Sequence, residues 1–227
     1  MLGVVVARAA GTSFGAYLQS RIFEPLGMVD TGFVLRPDQQ ERFTTRYRPD
    51  PAGGRPVVSD PSVDGYWSRP TGRPDAASWL LSTVDDLWAF AQMLQAGGAY
   101  QGGPVLSEAS VAAMITDHVS PAERAGSEDL LEEHESWGYG MLVPAAGDPE
   151  SLGEYGWDGG SGTSWRTHPM LGYTGILLTQ LELGAPQAMA IYADFWAALR
   201  GPSTSSGDSP SEGGSPLENS GDGGLDR

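Results

Sequence analysis

EYGWDGGSGTSW, residues 154–165, sets four glycines and one central acid among three aromatic residues, Tyr155, Trp157 and Trp165. Around it the hydrophobic period is two. WGYGMLV (137–143), TSWRTHP (163–169) and YTGILLTQ (173–180) read as three strands joined by turns, with the glycine stretch leading into the second. The glycines at 159, 160 and 162 lack a β-carbon, so they either let a ligand approach the backbone closely or bend a strand at a sheet edge as a hairpin or bulge.

Upstream of this region the period is helical. Leu2, Val5, Val6 and Ala9 share a face, Gly11 ends the pattern, and no N-terminal cap precedes it, so the chain is expected to open inside a helix. Thr12 or Ser13 caps a second helix carrying Phe14, Tyr17, Leu18 and Ile22 and ending near Pro25–Met28. The clearest helix lies in LLSTVDDLWAFAQMLQAGG (80–98), where Thr83 and Asp86 resemble a capping box and Leu87, Phe90, Ala91 and Leu94 share a face. LSEASVAAMITDH (106–118) holds a shorter one, and a last helix spans Gln187–Arg200 with Ala188, Ile191, Phe195 and Leu199 for packing. Residues 36–78, rich in Pro, Gly, Asp and Arg, read as a long surface excursion whose Tyr66 and Trp67 pack on something. Residues 201–227 are Ser, Gly, Pro and acid, a composition that does not repay the entropy of folding. One domain over 1–200 followed by a disordered tail over 201–227 is therefore expected.

Charge narrows the function. Thirteen basic and twenty-nine acidic residues give a net charge of −16, which repels nucleic acid. All thirteen basic residues are Arg, so no reaction that needs a lysine is available to these residues alone. Without Cys there are no disulfides, thiolate zinc sites or cysteine nucleophiles. No apolar run approaches the roughly eighteen residues of a membrane-spanning helix. Asp158 has no second carboxylate or His at ligand spacing and reads as a turn former, so no metal is implied. His118, His134 and His168 are scattered and read as surface or satisfied histidines. No G-x-S-x-G elbow supports a serine triad. Trp137, Trp157 and Trp165 suit either a pocket lining or a core.

Four stretches taken in order resemble the serine β-lactamase-like family of class C β-lactamases, penicillin-binding-protein relatives and family VIII esterases. They are LGVVVARAAGTSFGAYLQSRIFEPLGMVDTGF (2–33), LLSTVDDLWAFAQMLQAGG with VLSEASVAAM (105–114), WGYGM (137–141), and YGWDGGSGTSW running to ILLTQ (155–180). The resemblance covers roughly residues 1–200 and implies an α+β fold, an antiparallel sheet flanked by helices with the N-terminal portion of the family fold missing. Family chemistry rests on a Ser-x-x-Lys nucleophile, a Tyr-x-Asn element, and a Lys-Thr-Gly or His-x-Gly element on an edge strand. Trp157, Asp158 and Gly159 match the third, followed by Gly160, and the four are the expected substrate-binding residues. The resemblance makes the Gly160 N–H an oxyanion donor and lets substrate lie along the strand at Gly159. Trp157 stands where lactamases carry a cation, which points to an uncharged ester or amide as the small-molecule substrate. By the same resemblance the first two motifs precede Met1, so the catalytic set is absent and the chain is expected to be the C-terminal part of an enzyme, inactive alone. No cofactor is implied. The rival reading is a non-catalytic binding or interaction protein that uses the Trp157–Trp165 region and the acidic surface.

Overall fold

The computed structural model describes residues 1–69, 76–127, 130–146, 153–184 and 186–200, and the expected tail, 201–227, lies outside them. Helix α1 (Leu2–Ala10) starts at Met1 with no side-chain cap and stops at Gly11, which takes the left-handed backbone that ends helices (φ 66°). Ser13 opens α2 (Phe14–Leu18), its Oγ accepting the Ala16 N–H at 3.2 Å. That helix continues through a π-helical stretch, Gln19–Phe23, into α3 (Glu24–Leu26), and Gly27 ends it at φ 68°. Phe23, Leu26 and Met28 enter the core from this segment.

The excursion over residues 36–78 is stitched to the rest by backbone. Its hairpin of β1 (Arg46–Arg48) and β2 (Val57–Asp60) docks beside residues 180–182: the Tyr47 N–H donates to the Gln180 carbonyl at 2.7 Å and the Glu182 N–H to the Tyr47 carbonyl at 2.9 Å. Gly32 and Leu81 exchange two further bonds, and the Leu35 N–H donates to the Trp67 carbonyl at 3.1 Å. Trp67 is buried, as its expected packing requires.

Helix α4 (Val84–Gln95) has Thr83 as its cap, Oγ1 accepting the Asp86 N–H at 3.3 Å. The Asp86 carboxylate, which a capping box would turn back to Thr83, reaches across the fold instead. It accepts the Asp30 N–H at 2.8 Å and the Thr31 hydroxyl at 2.7 Å, so the tertiary partners take the oxygen that the local motif would use. Ala91 and Leu94 are buried, Leu87 and Phe90 pack beside them, and Met93 joins the core. A short hairpin of β3 (Ala99–Tyr100) and β4 (Gly103–Pro104) leads to α5 (Glu108–Met114), capped by Ser107, and to α6 (Pro121–Arg124), opened by a Ser120–Glu123 capping box.

Five strands follow in an antiparallel sheet whose order is that of the chain: β5 (Glu135–Trp137), β6 (Leu142–Pro144), β7 (Tyr155–Gly159), β8 (Thr163–His168) and β9 (Tyr173–Leu178). Two expectations change here. WGYGMLV is a hairpin rather than one strand, because Gly140 turns the chain at φ 85° and the Gly138 N–H closes on the Met141 carbonyl at 2.9 Å. The glycine stretch contains a strand of its own, β7, instead of merely leading into one. Helix α7 (Pro186–Arg200) covers one face of the sheet through Tyr192 and Trp196, which are buried, and through the partly exposed Leu199, while Ile191 stays 43% exposed. Gly175 on β9 makes room for this contact: a β-carbon there would collide with both the Trp196 ring and the Leu199 side chain. On the other face Trp165 meets Phe90 of α4 edge-on at 6.0 Å between centroids, at the centre of the core. The whole arrangement is α+β.

Two substitutions test this account. Asp86→Ala strands two donors in a buried site, and the urea unfolding free energy is expected to fall by about 3 kcal/mol at unchanged m-value. The Asp30 carboxyl is held down to about 2 by hydrogen bonds from Arg42 and then Gln39. A carboxyl lowered by folding stabilises above its unfolded value and loses that contribution as the pH falls. Asp30→Asn is therefore expected to flatten the melting-temperature profile between about pH 4 and pH 2 and to leave its shape above pH 5 unchanged.

Candidate functional site

The register of β7 with β8 decides which residues of the glycine stretch face a ligand. Trp157 pairs with Trp165, Asp158 with Ser164, and Gly159 with Thr163. Successive side chains on a strand point to opposite faces, so Trp157 and Asp158 serve different sides of the sheet. Trp157 is 38% exposed and stands edge-on to Trp137, with ring centroids 4.5 Å apart at 88°. It lines a cleft of ≈ 530 Å³ together with Gly159, Gly160 and Thr163. The opposite wall comes from the excursion and its neighbours, including Phe43, Arg46, Trp67 and Trp79. Three of the four expected site residues thus meet in one cleft.

The glycines at 159, 160 and 162 differ in what a β-carbon would meet. Gly162 takes φ 90°, and a β-carbon there would strike the Leu181 carbonyl, so the turn closes only with glycine. A β-carbon on Gly159 would collide with Thr163 Oγ1, whereas Gly160 has open space around it. The Gly159 carbonyl accepts the Gly162 N–H at 3.0 Å, which fixes the peptide unit that carries the Gly160 N–H.

Asp158 does not line the cleft. Its carboxylate is gripped by Arg166, with Nη1 to Oδ1 at 3.0 Å and Nη2 to Oδ2 at 2.8 Å, and Oδ1 also accepts the Ser164 hydroxyl at 2.5 Å. Trp196 Nε1–H donates to that hydroxyl at 3.0 Å, and the Arg166 guanidinium lies 5.9 Å from the Trp196 ring centroid. Burial, reinforced by the Asp158 charge and opposed by Arg166, pushes the neighbouring Tyr192 phenol up to about 12. Asp158, expected as a turn former, lies instead within β7, and its charge is matched by Arg166 on the far face of the wall. Among the described residues lining the cleft the one charged side chain is Arg46. It is held by Glu182 Oε1 at 3.3 Å from Nε and by Ser161 Oγ at 3.0 Å from Nη1.

Sequence reading had no signal for Arg46 or Trp79, since both come to the cleft from loops far from the glycine stretch. Trp79 is one of three non-glycine residues with positive φ among the described residues, at 77°, with Asp64 and Gln101. For a bulky side chain that backbone costs about 1–2 kcal/mol. The histidines are satisfied where their contacts are described. His168 Nδ1 accepts the Leu171 N–H at 3.2 Å, and His118 stacks on Tyr139 at 4.1 Å between centroids. His118, Tyr139 and Trp137 line a second cavity, ≈ 830 Å³, which none of the four expected site residues reaches. No helix among the described residues is long and apolar enough to cross a membrane.

The ion pair behind the wall is open to test. Asp158→Ala leaves Arg166, whose side chain is 11% exposed, without its partner, and is expected to lower unfolding free energy by about 3 kcal/mol. The double substitution Asp158→Ala, Arg166→Met is expected to recover more than half of that loss in the same denaturant titration.

Comparison with known proteins places the chain in a family. The chain is 31% identical over 185 residues to an uncharacterised protein of Mycobacterium tuberculosis, covering 74% of this chain and 44% of that one. It is 28% identical over 199 residues to esterase EstB of Burkholderia gladioli, covering 79% of this chain and 47% of the esterase. Its fold superposes on unliganded simvastatin synthase LovD from Aspergillus terreus with a TM-score of 0.70 at 22% identity, over 87% of this chain and 52% of that one. The chain thus spans about half the length of the relatives it matches. The Beta-lactamase family model matches residues 1–197, nearly all of the described chain, and the protein belongs to the serine β-lactamase-like hydrolase family.

Proposed function

We propose that these residues form the substrate-binding wall of an acyl-ester hydrolase of the family, with Trp157, Gly159 and Gly160 along one side of the cleft. The observation that carries the reading is the charge pattern of that cleft. The cation that lines it, Arg46, is already paired with Glu182, and Trp157 presents an indole where a charged anchor would stand in a lactamase. An uncharged ester fits such a site better than a β-lactam carboxylate, which would gain no charge partner from an indole. The Gly160 N–H serves as one oxyanion donor, on a peptide unit whose orientation is set before substrate arrives. Asp158 acts from behind the wall, holding β7 to β8 and, through Ser164, to α7.

Acylation in this reading uses a Ser-x-x-Lys serine that these 227 residues do not contain, since they include no Lys. Tyr-x-Asn is missing as well, the one asparagine being Asn219, two residues after Leu217. Without nucleophile and base, binding and an oxyanion donor leave at most weak catalysis. Similarity to esterase EstB supports the choice of an ester substrate.

The purified chain is expected to bind 4-nitrophenyl butyrate with quenching of its intrinsic tryptophan fluorescence, to hydrolyse it no faster than buffer, and to gain no adduct from a serine-directed fluorophosphonate in intact mass spectrometry. Trp157→Ala is expected to weaken binding about tenfold, as loss of an aromatic wall does. Serine-dependent turnover by the chain, or a stoichiometric phosphonate adduct, would show that the nucleophile lies within these residues and overturn the proposal.

A further inference from the structure

The wall opposite Trp157 holds a feature that ester chemistry alone does not require. Tyr66, Trp67 and Trp79 form a three-ring corner: Trp79 lies over Tyr66 with centroids 4.3 Å apart at 31°, and 5.2 Å from Trp67 at 55°. Tyr66 and Trp67 complete it edge-on, at 5.6 Å and 83°. Trp67 is fastened by the Leu35 N–H on its carbonyl, and Trp79 lies two residues before the Leu81 bridge to Gly32. Trp79 holds its place on left-handed backbone, φ 77°, where glycine or asparagine would rest without strain. Strain kept by surrounding contacts marks places where a side chain is used. Trp67 and Trp79 both line the ≈ 530 Å³ cleft that Trp157, Phe33 and Phe43 also line.

From this we infer that the Trp67–Trp79 corner is a subsite for a flat, conjugated ring on the substrate, which makes Trp79 a specificity-determining residue. The inference rests on the reading of the cleft as an ester site and adds the substrate class, esters bearing an aryl or fused-ring group. The volume fits an ester joined to a bicyclic ring, within the usual range of about 300–1,000 Å³ for small-molecule sites. Indole faces attract the edges and offset faces of other π-systems, whereas a saturated ring of equal size gains only the area it buries. A ring stacked on Trp79 would place its ester in the space between that corner and the Trp157–Gly160 wall.

The test compares two uncleavable ester analogues, 1-(2-naphthyl)propan-2-one and its decalin counterpart, by calorimetric titration of the full chain. The naphthyl ketone is expected to bind about five- to tenfold more tightly than the decalin ketone. Trp79→Gly, which removes the ring and relaxes the backbone, is expected to bring the two to equal affinity. Trp79→Asn, also at ease on left-handed backbone, gives the same comparison if the glycine variant does not fold. Equal binding of both ketones by the wild-type chain, or a preference that survives in the variants, overturns the inference and leaves the ester reading intact. Binding of neither removes the ester reading and the inference together. A second copy of the chain filling the cleft, seen as a sedimenting dimer that the naphthyl ketone does not dissociate, also overturns it.

Discussion

The ion pair of Asp158 with Arg166 holds the arrangement on which the cleft depends. It joins β7 to β8 on the face turned towards α7, and through Ser164 and the Trp196 indole it ties both strands to that helix. A strand slipped by one residue would exchange its two faces, carrying an acid towards the core and an indole towards α7. With the register held, Trp157 and Gly159 line the cleft and Asp158 stays behind it. The Asp158 carboxylate is thereby matched by the Arg166 guanidinium on the far face and kept out of the cleft.

The second wall is held by different means. Its residues belong to the excursion between α3 and α4, fastened by backbone bonds, Tyr47 beside Gln180 and Glu182, Gly32 with Leu81, Leu35 with Trp67, around the small aromatic cluster of Tyr66, Trp67 and Trp79. Arg46 adds a side-chain strut across the cleft mouth to Ser161 on the β7–β8 turn. The core, built on Phe23, Met93, Val143, Tyr155 and Trp165, lies mainly under the sheet and α4. One wall therefore rests on the core and the other on a lattice of hydrogen bonds around that small cluster, so the excursion side is the one that local opening would move first. The apolar residues of α1 are bare by comparison, with Leu2 72% and Val5 55% exposed.

How much of this was legible in the sequence depended on whether its cause was local. The helix stop at Gly11, a helix end near Pro25–Met28, a cap at Thr12 or Ser13, and strands within 163–169 and 173–180 follow from neighbours a few residues apart, and the structure has them, with Ser13 as the cap and Gly27 as the second stop. The fold class and three cleft residues, Trp157, Gly159 and Gly160, were legible from the resemblance of quoted motifs. Other features were settled by distant partners. Asp86 looks like half of a capping box until Asp30 and Thr31 arrive to claim its oxygens. Ile191 has helical spacing as good as that of Tyr192, yet it stays exposed, while the groove at Gly175 receives Trp196 and Leu199. Arg46 meets Ser161 across 115 residues, and the sign of φ at Trp79 leaves no mark in a hydrophobic pattern.

The proposed ester site lies in the cleft between Trp157 and Trp79, and not in the larger cavity beside Trp137 and Tyr139. The most direct measurement is a two-dimensional 15N–1H spectrum of the labelled chain titrated with a trifluoromethyl ketone ester analogue. The largest shifts are expected on the Gly159 and Gly160 amides and on the Trp157 and Trp79 indoles, with the Tyr139 and Gly140 amides unmoved. Shifts confined to Trp137, Tyr139 and Gly140, with Gly160 silent, would place the ligand in the other cavity and contradict the proposal.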